Sequence, residues 1–188
     1  MNTSNYFIPT MHQVPRSLSL YENHKDLRYG FRDIDTGMAQ AFLDKECLSN
    51  TSIYELVTRY DMTCKIFKIE PQTIYSWHVD AWRDWTMNLL LSDDDQNYMT
   101  VFSTKPMKTP TGISVLNIPY VQLQYEPQKF YLLNTTHPHM VINYSSKSRY
   151  VLTLACHHTI KDGAHTKQPS PLAMRDIRTY DQIKTIVQ

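Results

Sequence analysis

Between Cys64 and His158 the chain is a succession of short stretches rich in β-branched and aromatic residues, broken by polar turns, with no helical stretch among them. The stretches are 64–69, 73–80, 86–91, 98–103, 113–118, 120–125, 129–133, 139–143 and 149–157, and each reads as a strand. Parallel neighbours would need a crossover of about a dozen residues or more between successive strands. The connections here are too short for that, which removes a parallel sheet with interleaved helices and leaves an antiparallel jelly roll or small barrel.

Helical spacing flanks this region. In Asp35–Leu48 the residues Met38, Ala41 and Phe42 share a face, and in Ser52–Tyr60 the residues Ile53, Leu56, Val57 and Tyr60 recur every three or four positions. Ser52 and Glu55 make a capping box, so two N-terminal helices are expected as a support over about 33–61. Ser170-Pro171 is an N-cap followed by proline at the first helical position. Met174, Ile177, Tyr180, Ile183 and Val187 then predict one amphipathic C-terminal helix over 170–187, docked on the barrel or on a second subunit. Residues 1–32 show no clear period and are expected as irregular structure or a short edge strand. A length of 188 residues fits one domain spanning 1–188, with 64–158 as the core that carries the site.

Composition narrows the function. Lys and Arg total 19 against 18 Asp and Glu, so the net charge of +1 supplies no broad field to draw in nucleic acid or an anionic membrane. A nucleic-acid partner is disfavoured, though open, and no apolar run is long enough to span a bilayer. The four glycines are never spaced as a phosphate-cradling loop. Cys47, Cys64 and Cys156 are odd in number and never form a C-x-x-C pair, so neither a disulfide framework nor a thiolate zinc site is expected. A reducing interior suits them, and Met1–Pro9 lacks a basic start followed by an apolar stretch, so the expected location is cytoplasmic.

Chemistry enters at Tyr75-Ser-Trp-His78-Val-Asp80. Side chains two apart on a strand share a face, so His78 and Asp80 can offer an imidazole nitrogen and a carboxylate oxygen to one ion. Some sixty residues on stands Leu133-Asn-Thr-Thr-His137-Pro-His139-Met-Val-Ile-Asn143, and Arg149 opens the next stretch. A hairpin of these two strands can point His139 and Arg149 into one cavity. Two histidines and a carboxylate leave three open positions on an octahedral iron, the facial arrangement that non-haem oxygenases need for a bidentate 2-oxo acid and O2. Arginine suits the far carboxylate of 2-oxoglutarate, because its planar fork donates two parallel hydrogen bonds and stays charged when buried. His137 is the rival to His139, which alone combines the ten-residue spacing to Arg149 with a following Val-x-Asn.

Taken together, His78, Asp80, Arg83, Asn88 and Leu89 in an H-x-D…R-x-x-x-x-N-L pattern, and Asn134, His139, Val141, Asn143 and Arg149 in an N-x-x-x-x-H-x-V-x-N pattern with its later arginine, resemble the 2-oxoglutarate/Fe(II) oxygenases. The resemblance covers about 73–155 and points to the aspartyl/asparaginyl β-hydroxylase-like and prolyl-hydroxylase-like groups. It implies a mainly β, cupin-like double-stranded β-helix. It further implies that His78, Asp80 and His139 ligate Fe(II), that Arg149 binds 2-oxoglutarate, and that polar groups on the strand after H-x-D help hold that cosubstrate. Thr86 and Asn88 share the inward face of that strand if Leu90 lies deeper, Thr153 shares the face of Arg149, and Arg83 either contacts cosubstrate or substrate or is a solvated loop residue. The expected activity is hydroxylation of a C–H bond with release of succinate and CO2. An amino-acid side chain in protein or peptide, or a free amino acid, is the favoured substrate. The rivals are a zinc hydrolase on the same three ligands and a jelly-roll binding module without turnover.

Other features carry less. Trp77, Trp82 and Trp85 suit core more than pocket walls. Asp93-Asp94-Asp95 lacks the glycine and glutamate of a calcium loop and reads as a solvated turn. His157-His158 fit an exposed strand end, and Lys105–Gly112 is equally an ordinary connection or a cover for the site.

Overall fold

The computed structural model describes residues 3–13, 27–35, 37–80, 83–92, 98–105, 118–126, 128–156 and 170–188, with the backbone alone for 27–31. Trp82, Asp93–Asp95, His157, His158, residues 106–112 of the suggested cover and nearly all of the stretch 113–118 lie outside these residues. The strands are β1 (Phe7–Gln13), β2 (Leu27–Asp35), β3 (Met38–Leu43), β4 (Thr63–Ile69), β5 (Thr73–His78), β6 (Trp85–Leu90), β7 (Tyr98–Ser103), β8 (Tyr120–Leu123), β9 (Lys129–Asn134), β10 (His139–Asn143) and β11 (Arg149–Ala155). The helices are α1 (Tyr54–Arg59), α2 (Pro171–Asp176) and α3 (Tyr180–Val187). Among the described residues no helix is long and apolar enough to cross a membrane.

The strands form two antiparallel sheets, one in the order β1-β9-β6-β11-β4-β3-β2 and the other β5-β10-β7-β8. This is a double-stranded β-helix, as the short connections require. Between the sheets pack Leu90, Phe102, Leu123, Tyr131, Leu133 and Val151. The far face of the larger sheet, with Ile66, Met87, Leu132, Leu152 and Leu154, is covered by Val57 of α1 with its N-cap Ile53 and by Ile177 and Ile183 of the C-terminal segment. Period-two alternation therefore works on both faces of the large sheet, one toward the partner sheet and one toward helices.

Three expectations need correction. Residues 35–48 are not a helix: Met38–Leu43 is a strand paired with both β2 and β4, and only Lys45–Leu48 forms a short 3-10 turn. Ala39, Ala41 and Leu43 are buried at period two, while Phe42 is 41% exposed, so the helical face read from Met38, Ala41 and Phe42 was a coincidence of spacing that sheet pairing overrides. The second helix is real but its capping box is not. Ile53 occupies the N-cap with no side-chain cap, and Ser52 Oγ lies 3.3 Å from His12 Nδ1 instead.

The C-terminal helix is two helices. Trp85 Nε1 donates to the Ile177 carbonyl at 2.7 Å, taking that oxygen out of any continuing helical ladder. Thr179 and Gln182 then form a capping box that restarts α3. The break turns Met174 outward, to 38% exposure, and buries Ala173 in its place. The Ser170 cap with proline after it stands as read. The N-terminal segment is an edge strand, β1, paired on β9.

Candidate metal centre and pocket

The connections that frame the site are locked at their turns; the hairpin expected to carry His139 and Arg149 is instead a crossover between sheets, since β10 pairs with β5 and β7 and β11 with β4 and β6. Asn143 is fully buried; its amide donates to the Glu70 and Lys147 carbonyls at 2.9 Å, and its oxygen accepts from the Ser145 N–H at 3.1 Å. That side chain ties the end of β4 to the turn from β10 to β11, and so fixes where Arg149 enters the sheet. At the other end Asp80 N–H donates to Thr135 O, Thr135 N–H to Asp84 O and Thr135 Oγ1 to Arg83 O. The segments carrying Asp80 and His139 are thus pinned to one another.

His139 lies directly across from His78 in the β10–β5 register. His78, Asp80 and His139 each present one ligand atom, and these atoms all lie within 4.8 Å of one another. One divalent ion with bonds of about 2.1 Å can draw such a set together. His137, the rival reading, sits apart with its ring 4.9 Å from that of Tyr6. Its backbone nevertheless serves the site, since its carbonyl lies 2.9 Å from His139 Nδ1. His78 Nδ1 lies 2.8 Å from the Ser76 carbonyl in the same way. A carbonyl only accepts, so each Nδ1 carries the proton and each Nε2 keeps a free lone pair.

The electrostatics agree. Burial, then the neighbouring His78, pulls the pKa of His139 down to about 4, and burial also lowers that of His78, so both rings are neutral at neutral pH. Burial by itself would raise Asp80, but the Arg83 guanidinium, followed by the two histidines, outweighs it and holds the carboxyl below its usual range. Arg83 Nε donates to Asp80 Oδ2 at 2.6 Å, leaving Oδ1 on the His78 side, 3.9 Å from Nε2. Arg83 is therefore not a solvated loop residue: its Nε holds the carboxylate, and the residue lines the pocket described next.

Below the triad lies a pocket of about 500 Å3, counted to its open mouth. Thr86, Asn88, Thr100, Thr135, Arg149 and Thr153 supply its polar wall, and Met38, Phe67, Leu133, Val141 and Val151 are among its apolar residues. All eight residues singled out from the sequence line this one space. Thr153 Oγ1 donates to Asn88 Oδ1 at 2.9 Å, and Asn88 Nδ2 donates to Tyr125 at 3.4 Å. Trp85 and Trp77 do not reach the pocket: Trp85 packs in the helix-covered core and Trp77 against Val101, Met140 and Ile142.

Arg149 is 1% exposed. Its guanidinium lies 5.0 Å from the ring centres of both Tyr98 and Tyr125, Nη1 donates weakly to the Met99 carbonyl at 3.4 Å, and Nε has no partner. No carboxylate among the described residues pairs with it. The two tyrosines escaped the sequence reading, although Tyr98 alternates with Thr100 and Phe102, and Tyr125 with Val121 and Leu123, so period two would have put both on the inner face.

No protein-family model matches the sequence, and no curated protein matches it. Solved structures do match in fold. A prolyl-4-hydroxylase from Pseudomonas putida superposes with a TM-score of 0.54 at 14% identity, over 84% of this chain and 95% of that one. The non-heme alpha ketoglutarate dependent epimerase SnoN of nogalamycin biosynthesis gives 0.50 at 9% identity, over 89% and 91%. The chain has the fold of 2-oxoglutarate/Fe(II) oxygenases.

Proposed function

We propose that this protein is a 2-oxoglutarate-dependent oxygenase that holds Fe(II) through His78, Asp80 and His139 and hydroxylates a C–H bond. Arg149 carries the reading. Burying a cation costs several kcal/mol unless it is paired. A cation–π contact returns about 0.5–2 kcal/mol, and one long hydrogen bond adds little, so the contacts around Arg149 leave it short of a partner. A dicarboxylate cosubstrate would supply the missing anion. A zinc hydrolase on the same triad has no use for that guanidinium, nor has a binding module for two histidines with pinned tautomers.

With metal and cosubstrate bound, the pair supplies the oxidation R–H + O2 + 2-oxoglutarate → R–OH + succinate + CO2. The protein's own part is position and protonation. Arg149, flanked by the Tyr98 and Tyr125 rings, would take the distal carboxylate, and Thr86, Asn88 and Thr153 would offer polar contacts to the cosubstrate. The Ser76 and His137 carbonyls keep both imidazoles in the ligating tautomer, and Arg83 keeps Asp80 ionised and oriented. Leu133, Val141 and Val151 give the chamber an apolar wall. The fold shared with a prolyl-4-hydroxylase, together with the H-x-D and N-x-x-x-x-H motifs, favours an amino-acid substrate, free or within a peptide.

Anaerobic titration of the Fe(II)-loaded protein with 2-oxoglutarate tests this. A visible charge-transfer band of the chelate, followed by succinate release on admitting O2, is the expected result. A colourless titration with no succinate, under conditions where metal analysis finds iron bound, would overturn the proposal.

A further inference from the structure

The inner face of the large sheet continues past the pocket. On β4 the residues Phe67 and Ile69 line the chamber, and Lys65 is next in the same alternation, so it shares their face. In register Lys65 stands opposite Thr153, which in turn stands opposite Asn88, and on its other side opposite Phe42. Thr153 and Asn88 belong to the pocket wall; Lys65 and Phe42 form a shelf beside it. Lys65 Nζ sits 5.0 Å from the centre of the Phe42 ring, which is itself 41% exposed. No carboxylate among the described residues pairs with Lys65. Burial, then the charge of Arg83, brings its pKa down to about 8, so it remains mostly protonated at neutral pH, and its coupling to Arg83 and Asp80 puts it within electrostatic range of the metal site.

This part-buried cation differs from Arg149 in position and therefore in task. A bound cosubstrate would have its far carboxylate at Arg149, whereas Lys65 lies beside the wall, level with Thr153 and Asn88. Resting on the oxygenase reading above, we propose that Lys65 and Phe42 are the substrate shelf: the substrate presents a carboxylate to Lys65 Nζ and an apolar portion to the Phe42 ring, with the reacting C–H bond turned to the metal. A single ammonium matches a single negative charge. A phosphate dianion would want further donors and would sit near the ionised Asp80, which repels it.

The test uses the Fe(II)-loaded full chain, with free amino acids and simple monocarboxylic acids offered in parallel with their primary amides, and with phosphomonoesters as a third arm. Succinate release above the substrate-free rate is the readout. The expected result is that at least one acid stimulates turnover and its amide does so about tenfold less well or worse, the loss typical of a charge-assisted hydrogen bond. Lys65→Met should raise KM for that acid by a similar factor with kcat little changed, should leave KM for the amide unaltered, and should be rescued by Lys65→Arg. Amide and acid working equally, Lys65→Met leaving KM for the acid unchanged, phosphomonoesters stimulating in place of acids, or no acid stimulating a protein that forms the 2-oxoglutarate chelate would each overturn the shelf. The chelate band is read first in both wild type and Lys65→Met; its absence from wild type would instead overturn the oxygenase reading on which the shelf rests.

Discussion

Arg149 exposes a conflict that its replacement resolves in opposite directions for folding and for binding. Arg149→Met removes a buried cation whose Nε has no partner, so the ligand-free variant should melt at the same temperature as wild type or higher, while losing affinity for 2-oxoglutarate by at least about tenfold. Thermal melts and the anaerobic titration read the two effects separately; a variant that melts lower and still binds would contradict the assignment. Arg149→Lys keeps the charge but not the fork, and should recover only part of the binding. Arg83 tests a different point. Arg83→Met deletes the 2.6 Å bond to Asp80 and should weaken Fe(II) binding by about 10- to 100-fold, measurable by competition with a metallochromic chelator, and should also lower the melting temperature of the metal-free protein, because it leaves a largely buried carboxylate without its cation. At this scale the convergence of His78, Asp80, His139 and Arg149 on one space could be read from two short motifs, although the residues stand on β5, the segment after it, β10 and β11. Tyr98 and Tyr125 carried only the signal of period two, and the grip of Arg83 on Asp80 depends on how the segment after β5 folds back.

Elements were read well where period and turn chemistry agreed. Strands 98–103 and 139–143 match β7 and β10 to the residue, since polar turns bound them on both sides. Met38–Leu43 was misread because six residues at an interior position fit either period, and only the neighbours β2 and β4 decide. The split of the C-terminal helix was equally invisible, because its cause, the Trp85 indole, lies 92 residues away. That cause is testable. Trp85→Phe keeps the ring but leaves the Ile177 carbonyl without its donor, and should cost about 1–3 kcal/mol of stability in denaturant melts, with the 2-oxoglutarate chelate still forming. Loss of the chelate at unchanged stability would mean that this contact shapes the site as well as the helix pair.

For the whole molecule the buried triad sets an acid limit. His139 has its pKa lowered from 6.5 to about 4 in the folded chain, so the unfolded chain binds its proton first as the pH falls. The stability contributed by keeping this ring neutral is therefore complete above 6.5 and is lost progressively from there down to about 4, for a total of roughly 3 kcal/mol. Calorimetry of metal-free protein across that window should show the melting temperature falling with pH, and His139→Gln should fall less steeply; parallel declines would count against a buried neutral imidazole. Fe(II) competes with the proton for the same nitrogen, so metal loading should move the decline to lower pH. The aim of both rings, finally, is set by the main-chain oxygens of residues 76 and 137, and every amino acid carries such an oxygen. Replacement of either side chain over generations leaves the aim of both rings untouched, so a lineage could reshape the surface around them while the His78, Asp80 and His139 cluster beneath stays as it was.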